Sequence, residues 1–266
     1  MASEHPLWFF WGQKHMTFLR YMTLRSACAV HSDVRLVTRE EEVRPNLPWA
    51  EVQDFMVGRD NVRNWYREAM ALPITRVPLG YIAPEIAALH ADDVHTSDLL
   101  SWWLLATQGG TVCDMDIVFL KPLPLIVRDV EIVAHPNRPG LVPYVPIAYV
   151  QGRPAPKWRE TYLKAMAAFD PKVYQSCGGE NLRPWPDGRL DWFIIYPWFG
   201  STFKHILNYC LLAPHWPPIP ETCVGIHWYG GGMQAENQRI QSVEDLKAGA
   251  LAWACREVLS REVIRA

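Results

Sequence analysis

The chain is poor in several features that would place it quickly. Its six cysteines (Cys28, Cys113, Cys177, Cys210, Cys223 and Cys255) are scattered and none forms a CxxC pair. That spacing excludes a zinc ribbon and points to reduced thiols in a cytoplasmic setting, while the even count leaves disulfides open. Net charge is only −2, so a long nucleic-acid backbone is not an expected partner. No apolar run approaches the roughly 18 residues that a membrane span needs. The first such run, Leu7 to Trp11, is also too short for a signal-peptide core. The expectation is a protein without a transmembrane segment, soluble or peripheral at the inner membrane face. No P-loop, GxGxxG or nucleophile elbow occurs, and Gly230-Gly231-Gly232 has the spacing of none of them. Internal repeats and low-complexity stretches are absent as well.

What is present is an ordinary globular balance. The 266 residues are 49% apolar and 20% charged, enough to build a substantial core. Tryptophan is abundant at 13 copies, suited to core filling and, on an open face, to stacking on sugar rings. The opening reads as β-α-β: a buried strand at 7–12, a helix from Thr17 to Val30, and a strand at Val34–Val37. That is the start of an α/β domain with a mainly parallel central sheet flanked by helices.

The pattern then predicts an irregular stretch at 44–58, a helix from Asn61 to Ala71, a strand at Ile74–Val77 and a short helix after Pro84. Ser97 is read as the N-cap of a helix from Asp98 to Thr107, with Asp98 in the first turn. Gln108-Gly109-Gly110 stops it. Later strands are expected at Glu131–Ala134, Ala148–Gln151, Trp192–Tyr196 and Val224–Trp228. Helices are expected at Lys157–Phe169 and Phe203–Cys210, and a last one from a capping box at Ser242-x-x-Asp245 toward Val263.

The stretch that carries chemistry is Gly109-Gly110-Thr111-Val112-Cys113-Asp114-Met115-Asp116-Ile117-Val118-Phe119-Leu120-Lys121-Pro122-Leu123. Read as one strand, it puts Asp114 and Asp116 on the same face, with Cα atoms about 6.5–7 Å apart. Two carboxylates in an apolar run repel each other and are costly to bury, unless a divalent cation lies between them and a ligand. Mg²⁺ or Mn²⁺ bridging to phosphate oxygens suits such a site. The bland alternative is one aspartate at a strand end and another in a turn.

Three segments, in order along the chain, resemble a known family. Ser97-Asp98-Leu99-Leu100, then Gly109-Gly110, then Asp114-x-Asp116, then Leu120-Lys121-Pro122-Leu123 is similar to the signature of DxD-containing retaining glycosyltransferases. That group includes capsular-polysaccharide glycosyltransferases, initiating mannosyltransferases and α-1,4-galactosyltransferases, with clostridial-toxin glucosyltransferase domains more distant. Trp8-Phe9-Phe10-Trp11-Gly12 with Phe18 to Leu24 resembles the opening strand and helix of bacterial members, and Ile226-His227-Trp228-Tyr229-Gly230-Gly231 their late His-Trp segment.

The resemblance implies a GT-A fold in a single domain over 1–266, with a nucleotide-sugar half at 1–130 and an acceptor-side half at 131–266. It implies a UDP- or GDP-sugar donor, a saccharide or glycolipid acceptor, and a role in polysaccharide biosynthesis. It implies Mn²⁺ or Mg²⁺ held by Asp116 and His227 with Asp114 beside them, Asp114 also lying near the donor ribose or sugar. Asp98 would bond the donor sugar and Trp11 would line the base site. Asp114, Asp116 and Asp98 are the catalytic candidates. Lys121 reads either as a diphosphate contact or as a solvated lysine ahead of a proline turn. Two positions depart from the family pattern: Ser101 stands where an arginine is usual, and Val112 where an aromatic is usual.

Taken alone, His227 reads as a structural histidine on a strand edge, and its Trp-Tyr-Gly-Gly context raises the metal reading. His90, His95, His135, His205 and His215 have no such context. Trp185, Trp192, Trp198 and Trp228 are candidates for an acceptor platform or for packing, with Glu180 and Asp191 alongside. Arg256, Arg261 and Arg265 against Glu257 and Glu262 mark the last helix as an ordinary mixed-charge face or a membrane-surface contact. The rival enzyme reading is a HAD-type phosphatase, whose DxDx(T/V) motif Asp114 to Ile117 nearly fits. That class also needs a later paired-aspartate motif, and none follows residue 116. A catalytically weak carbohydrate-binding relative is the non-enzymatic rival.

Overall fold

The computed structural model describes residues 5–41, 62–133, 146–186, 188–198, 208–230 and 234–264. The first strand, β1 (Leu7–Trp11), is buried along its whole length. Helix α1 (Phe18–Val30) and strand β2 (Val34–Thr38) follow, then helix α2 (Tyr66–Met70) and strand β3 (Thr75–Pro78). Two single turns, α3 (Leu79–Ile82) and α4 (Pro84–Ala87), lead into the long helix α5 (Asp93–Thr107). Strands β4 (Gly110–Cys113), β5 (Ile117–Phe119), β6 (Glu131–Val133) and β7 (Tyr149–Gly152) precede helix α6 (Pro156–Ala168). Strands β8 (Arg189–Leu190) and β9 (Gly225–His227) and helices α7 (Gln234–Arg239) and α8 (Gly249–Leu259) complete the set.

Seven strands form one sheet in the order β3-β2-β1-β4-β7-β6-β8, and β5 pairs with β9 in a second small sheet. The β3-β2-β1-β4 half is parallel throughout, β7 runs antiparallel to β4 and β6, and β8 is parallel to β6. This is a mixed α/β fold with a mostly parallel central sheet between helices. The alternation of side chains along β1 explains the layering. Leu7, Phe9 and Trp11 enter a core cluster shared with α1, while Trp8 and Phe10 enter the opposite cluster shared with α5 and α6. Both faces of β1 are covered, hence the unbroken apolar run. A third cluster joins α1 to α8, β5 and β9 through Phe18, Met22, Val118, Trp228 and Val258.

Several expected elements differ. Helix α5 begins five residues before Asp98, because the Asp92 carboxylate accepts from the His95 N–H and is the true N-cap. Ser97 and Asp98 are therefore interior positions. The helix does end at Thr107, and Gly109 (φ +68°) and Gly110 (φ +108°) take the left-handed backbone that reverses the chain. The Asp114–Asp116 stretch is not one strand. The chain leaves the large sheet after Cys113, turns through Asp114-Met115-Asp116 and enters the second sheet at Ile117. Two hydroxyls of α1 hold this crossing, Thr23 donating to the Met115 carbonyl (3.0 Å) and Ser26 accepting from the Phe119 N–H (2.9 Å).

The expected helix from Asn61 shrinks to α2. Asn64 is occupied instead with the β1–α1 connection, accepting from the Met16 N–H and donating to the Lys14 carbonyl. Trp192–Tyr196 contains a 3₁₀ turn, Trp192–Ile194, opened by the Asp191 carboxylate on the Phe193 N–H. A buried apolar run without a strand partner looks the same in sequence. The Ser242–Asp245 capping box is present but opens only a single 3₁₀ turn, and the helix restarts at Gly249. There φ is +87° and an added Cβ would lie 2.1 Å from the Cys210 carbonyl oxygen. Strand β8 and helix α7 were not anticipated. The stretch at 44–58, residues Asn61 and Ala134, and residues 203–207 of the expected Phe203–Cys210 helix lie outside the described residues; Asn208–Leu212 forms a π-helical turn.

Candidate metal centre

The winding of the sheet defines the crevice. From β1 the chain steps outward to β2 and β3, then returns through α5 to β4 on the other side of β1. At such a reversal the connections leaving two adjacent parallel strands diverge, and a ligand cleft opens at their carboxyl ends. Trp11 ends β1 there and Asp114 follows the end of β4. The Gly12 position admits no side chain, since a Cβ would lie 2.0 Å from the Asp93 carboxylate. Arg39, at the end of β2, is buried against the same aspartate at 3.6 Å and donates to the Asp92 carbonyl and the Thr96 hydroxyl. The rim of the crevice is thus tied to the start of α5.

The second sheet brings the distant histidine in. β9 runs antiparallel to β5 with His227 opposite Ile117, so the imidazole stands beside Asp116. One ligand atom each from Asp114, Asp116 and His227 lie within 4.8 Å of one another. His227 Nε2 is 3.2 Å from Asp116 Oδ1. The other oxygen, Asp116 Oδ2, accepts from the Gly230 N–H at 2.7 Å, and the Asp116 carbonyl accepts from the Trp228 N–H at 2.9 Å. Met115 points into the core between the two aspartates and anchors the turn.

Asp116 and His227 are buried, whereas Asp114 is half-exposed. Burial pushes the Asp116 carboxyl up, but His227, Arg20 and the Gly230 N–H together outweigh it and hold it well below the ordinary carboxylate range. Asp116 Oδ1 and His227 Nδ1 are buried without a well-aligned hydrogen bond. Leaving such atoms unsatisfied costs about 1–3 kcal/mol each. Two carboxylates and an imidazole at this spacing are a donor set for a divalent cation.

The other expected site residues fall in different places. Trp11 is buried at the end of β1, its indole N–H on the His15 carbonyl at 3.1 Å. Asp98 is buried in the second turn of α5 and faces the turn at 175–178, where a Cβ on Gly178 would lie 3.5 Å from its Oδ2. It is not part of the triad. Lys121 stands past the opposite end of β5, exposed, with its ammonium on the Glu221 carbonyl at 2.6 Å. Trp228 and Trp198 are packed inside. Trp185 stacks under Arg183, ion-paired with Glu180. Trp192 does reach the site's surroundings: it stacks on Tyr196 at 4.1 Å, Tyr196 lies 5.1 Å from the His227 ring, and Tyr229 meets that ring edge-on at 4.3 Å.

Sequence reasoning passed over Arg20 and Gly230. Arg20 is buried in α1, and its guanidinium lies 5.6 Å from the Trp11 ring and 5.0 Å from the Trp228 ring. The sequence signal was a lone cation within Phe18 to Leu24, the mostly apolar start of the first helix.

No family model matches the chain, and no curated protein sequence matches it. Among solved structures, it resembles the glycosyltransferase GlyE of Streptococcus pneumoniae TIGR4, with a TM-score of 0.51 and 11% identity. The chain has a GlyE-like fold. The match covers 97% of this chain and 62% of GlyE, so the chain spans about three fifths of that protein's length. The apo form of GlyE gives a TM-score of 0.49 at 12% identity over 98% of this chain and 61% of that one. The PaToxG glycosyltransferase gives 0.43 at 12% identity over 68% of each. At 11% identity the likeness to GlyE establishes the fold alone.

Proposed function

We propose that the chain is a metal-dependent glycosyltransferase that moves a sugar from a UDP- or GDP-sugar to a hydroxyl of a saccharide or glycolipid acceptor, with retention of anomeric configuration. The observation that carries this reading is the convergence of Asp114, Asp116 and His227 at the carboxyl ends of β1 and β4. The order of the family-like segments along the chain and the GlyE-like fold support it.

Breaking the glycosidic bond leaves the electron pair on the diphosphate, whose negative charge grows toward the transition state. When bound, Mn²⁺ or Mg²⁺ supplies the electrostatic stabilisation of that charge. Asp116 and His227 are the residues that would hold it from the second sheet, with Asp114 from the end of β4. Gly230 N–H fixes the Asp116 carboxylate through Oδ2, and Oδ1 lies beside His227 Nε2. Trp11 would line the base site, and Asp98 and the Trp192–Tyr196–Tyr229 aromatics would border donor sugar and acceptor. The outward position of Lys121 favours its reading as a solvated lysine. Six free cysteines, all buried, agree with a cytoplasmic setting. Among the described residues, no helix is long and apolar enough to cross a membrane. Arg256 and Arg261 are used within the molecule, on the Leu246 and Leu120 carbonyls, which limits what the last helix could offer a membrane surface.

The test is a panel of UDP- and GDP-sugars with Mn²⁺, reading donor hydrolysis and thermal stabilisation. Both are expected for at least one donor, and Asp116→Asn is expected to abolish them. Metal-independent behaviour with every donor would overturn the reading. Hydrolysis of simple phosphomonoesters would favour the HAD-type phosphatase instead.

A further inference from the structure

The two nitrogens of the His227 ring have unlike surroundings. Nε2 lies 3.2 Å from Asp116 Oδ1, whereas Nδ1 is buried and has no hydrogen-bond partner among the described residues. A histidine that ligates a metal usually donates its second ring N–H to a carboxylate, a carbonyl or a water, and that bond fixes the plane of the ring. His227 is bordered by two other rings instead. Tyr229 meets it edge-on, with centroids 4.3 Å apart and planes at 82°, and Tyr196 lies 5.1 Å away at 49°. The two tyrosines are 5.7 Å apart. Contacts between rings are directional, because the edge of an aromatic ring is positive and its face negative.

The backbone keeps both tyrosines where they are. The His227 N–H donates to the Ile195 carbonyl at 2.9 Å and the Val224 N–H to the Ile194 carbonyl at 2.8 Å, so the turn that carries Tyr196 is bonded along β9. Tyr196 is buried, and Trp192 stacks on it at 4.1 Å. Tyr229 is placed at some cost, since its φ is +54°. That left-handed backbone suits glycine and is strained for a bulky side chain. Strain of this kind persists only where the surroundings hold it, and it gathers at functional sites. On either side of Tyr229 the chain is tied to one residue, Trp228 N–H to the Asp116 carbonyl at 2.9 Å and Gly230 N–H to Asp116 Oδ2 at 2.7 Å. A glycine at 229 would make the same turn with less strain. What the tyrosine adds is its ring against His227.

Resting on the metal-dependent glycosyltransferase reading, we propose that Tyr229 is the positioning residue for His227. Its ring, with that of Tyr196, fixes the plane of the imidazole so that Nε2 is presented beside Asp116, a task that a hydrogen bond on Nδ1 performs in other histidine sites. Tyr229 acts on the metal through His227 and needs no contact of its own with the ion or the donor. The part of the side chain that matters is the ring, not the hydroxyl.

Mn²⁺ affinity of the full chain is measured by electron paramagnetic resonance, with a thermal melt of each preparation. Tyr229→Phe keeps the ring and is expected to bind Mn²⁺ as the wild type does. Tyr229→Asn removes the ring but tolerates the left-handed backbone. It is expected to bind Mn²⁺ about 10–100-fold more weakly, the usual cost of losing a group that orients a metal ligand. The signal of the ion that does bind should also differ from that of the wild type. If Tyr229→Asn fails to fold, Tyr229→Gly, which relieves the backbone strain, carries the same test with the same expected loss. A merely structural tyrosine predicts a lower melting temperature with unchanged Mn²⁺ affinity of the folded protein. That result, with Mn²⁺ binding still lost in Asp116→Asn, would overturn the Tyr229 proposal and leave the metal centre standing. An equal loss in Tyr229→Phe would also overturn it, since the hydroxyl would then be the group that matters. Absence of Mn²⁺ binding to the wild type would overturn both the proposal and the metal centre.

Discussion

Asp116 and Gly230 form the tightest unit of the site, a carboxylate held by a backbone N–H that comes from 114 residues further along the chain. A methyl group at Gly230 would lie 2.4 Å from Arg20 Nη2, so the guanidinium has to move to admit it. Gly230→Ala is expected to lower turnover by about a hundredfold, the scale of loss from a misplacement of about 1 Å at a reacting centre. Its melting temperature should fall little, since Arg20 can swing aside. Steady-state kinetics and a thermal melt of the same preparation check both parts. A comparable loss of folded protein would place the glycine in the scaffold instead. His95, which had no context in sequence, turns out to serve structure: its ring bonds the Asp92 carboxylate (2.8 Å) and the Val173 carbonyl (3.0 Å).

That pair sets the start of α5, the element that borders the crevice. Burial pushes the Asp92 carboxyl up, but the His95 ring and backbone N–H outweigh it, and the net direction is down. For His95, burial pushes down, the Asp92 carboxylate and the Val173 carbonyl outweigh it, and the net direction is up. The depressed Asp92 contributes stability that is present above its unfolded pKa of about 3.9 and lost as pH falls through the folded value. The raised His95 contributes stability that is present below its unfolded pKa of about 6.5 and lost as pH rises through the folded value. The pair is therefore strongest between about pH 4 and 6.5. Asp92→Asn keeps a capping acceptor and removes the charge. Urea unfolding should show it destabilised by about 1 kcal/mol at pH 5.5 and by less at pH 8.5. Asp92→Ala also loses the cap and should cost a further ~0.5–2 kcal/mol at both pH values. An equal effect of Asp92→Asn at the two pH values would remove the ion pair from the account.

At the scale of the whole molecule, the site is a junction. The turn between the two sheets supplies Asp114 and Asp116, β1 of the large sheet supplies Trp11, β9 of the small sheet supplies His227, and α1 supplies Arg20. A ligand that spans these parts ties them together, so bound ligand should stabilise the entire fold. With Mn²⁺ and UDP or GDP at about a hundred times the dissociation constant, the gain is about 2.7 kcal/mol. For a chain of this size that raises the melting temperature by roughly 5–10 °C. Neither Mn²⁺ alone nor the nucleotide alone should reach this shift. A shift of the same size with nucleotide and a chelator would show that the diphosphate is held without the metal.

The sequence by itself determined the parallel half of the fold. β1, α1, β2, β3 and the start of β4 lie where apolar periodicity and glycine punctuation put them, because those signals are local. It also named the three members of the triad, through the DxD spacing and the His-Trp context. It misplaced what depends on partners that are not neighbours in the chain. The start of α5 went to Ser97 because the decisive bond, His95 N–H to Asp92, competes with other capping residues that look equivalent in sequence. Trp192–Tyr196 was read as a strand because a buried apolar run does not reveal whether another strand lies beside it. Only the tertiary structure decided that the two aspartates sit in a turn between two sheets rather than on one strand face, and that Arg20 lies against Gly230. Carboxylates, imidazole, guanidinium and a backbone N–H from residues 114, 116, 227, 20 and 230 come near one another because β5 leaves the main sheet to pair with β9. Long-range pairing of that kind leaves no periodic trace in the residues that make it.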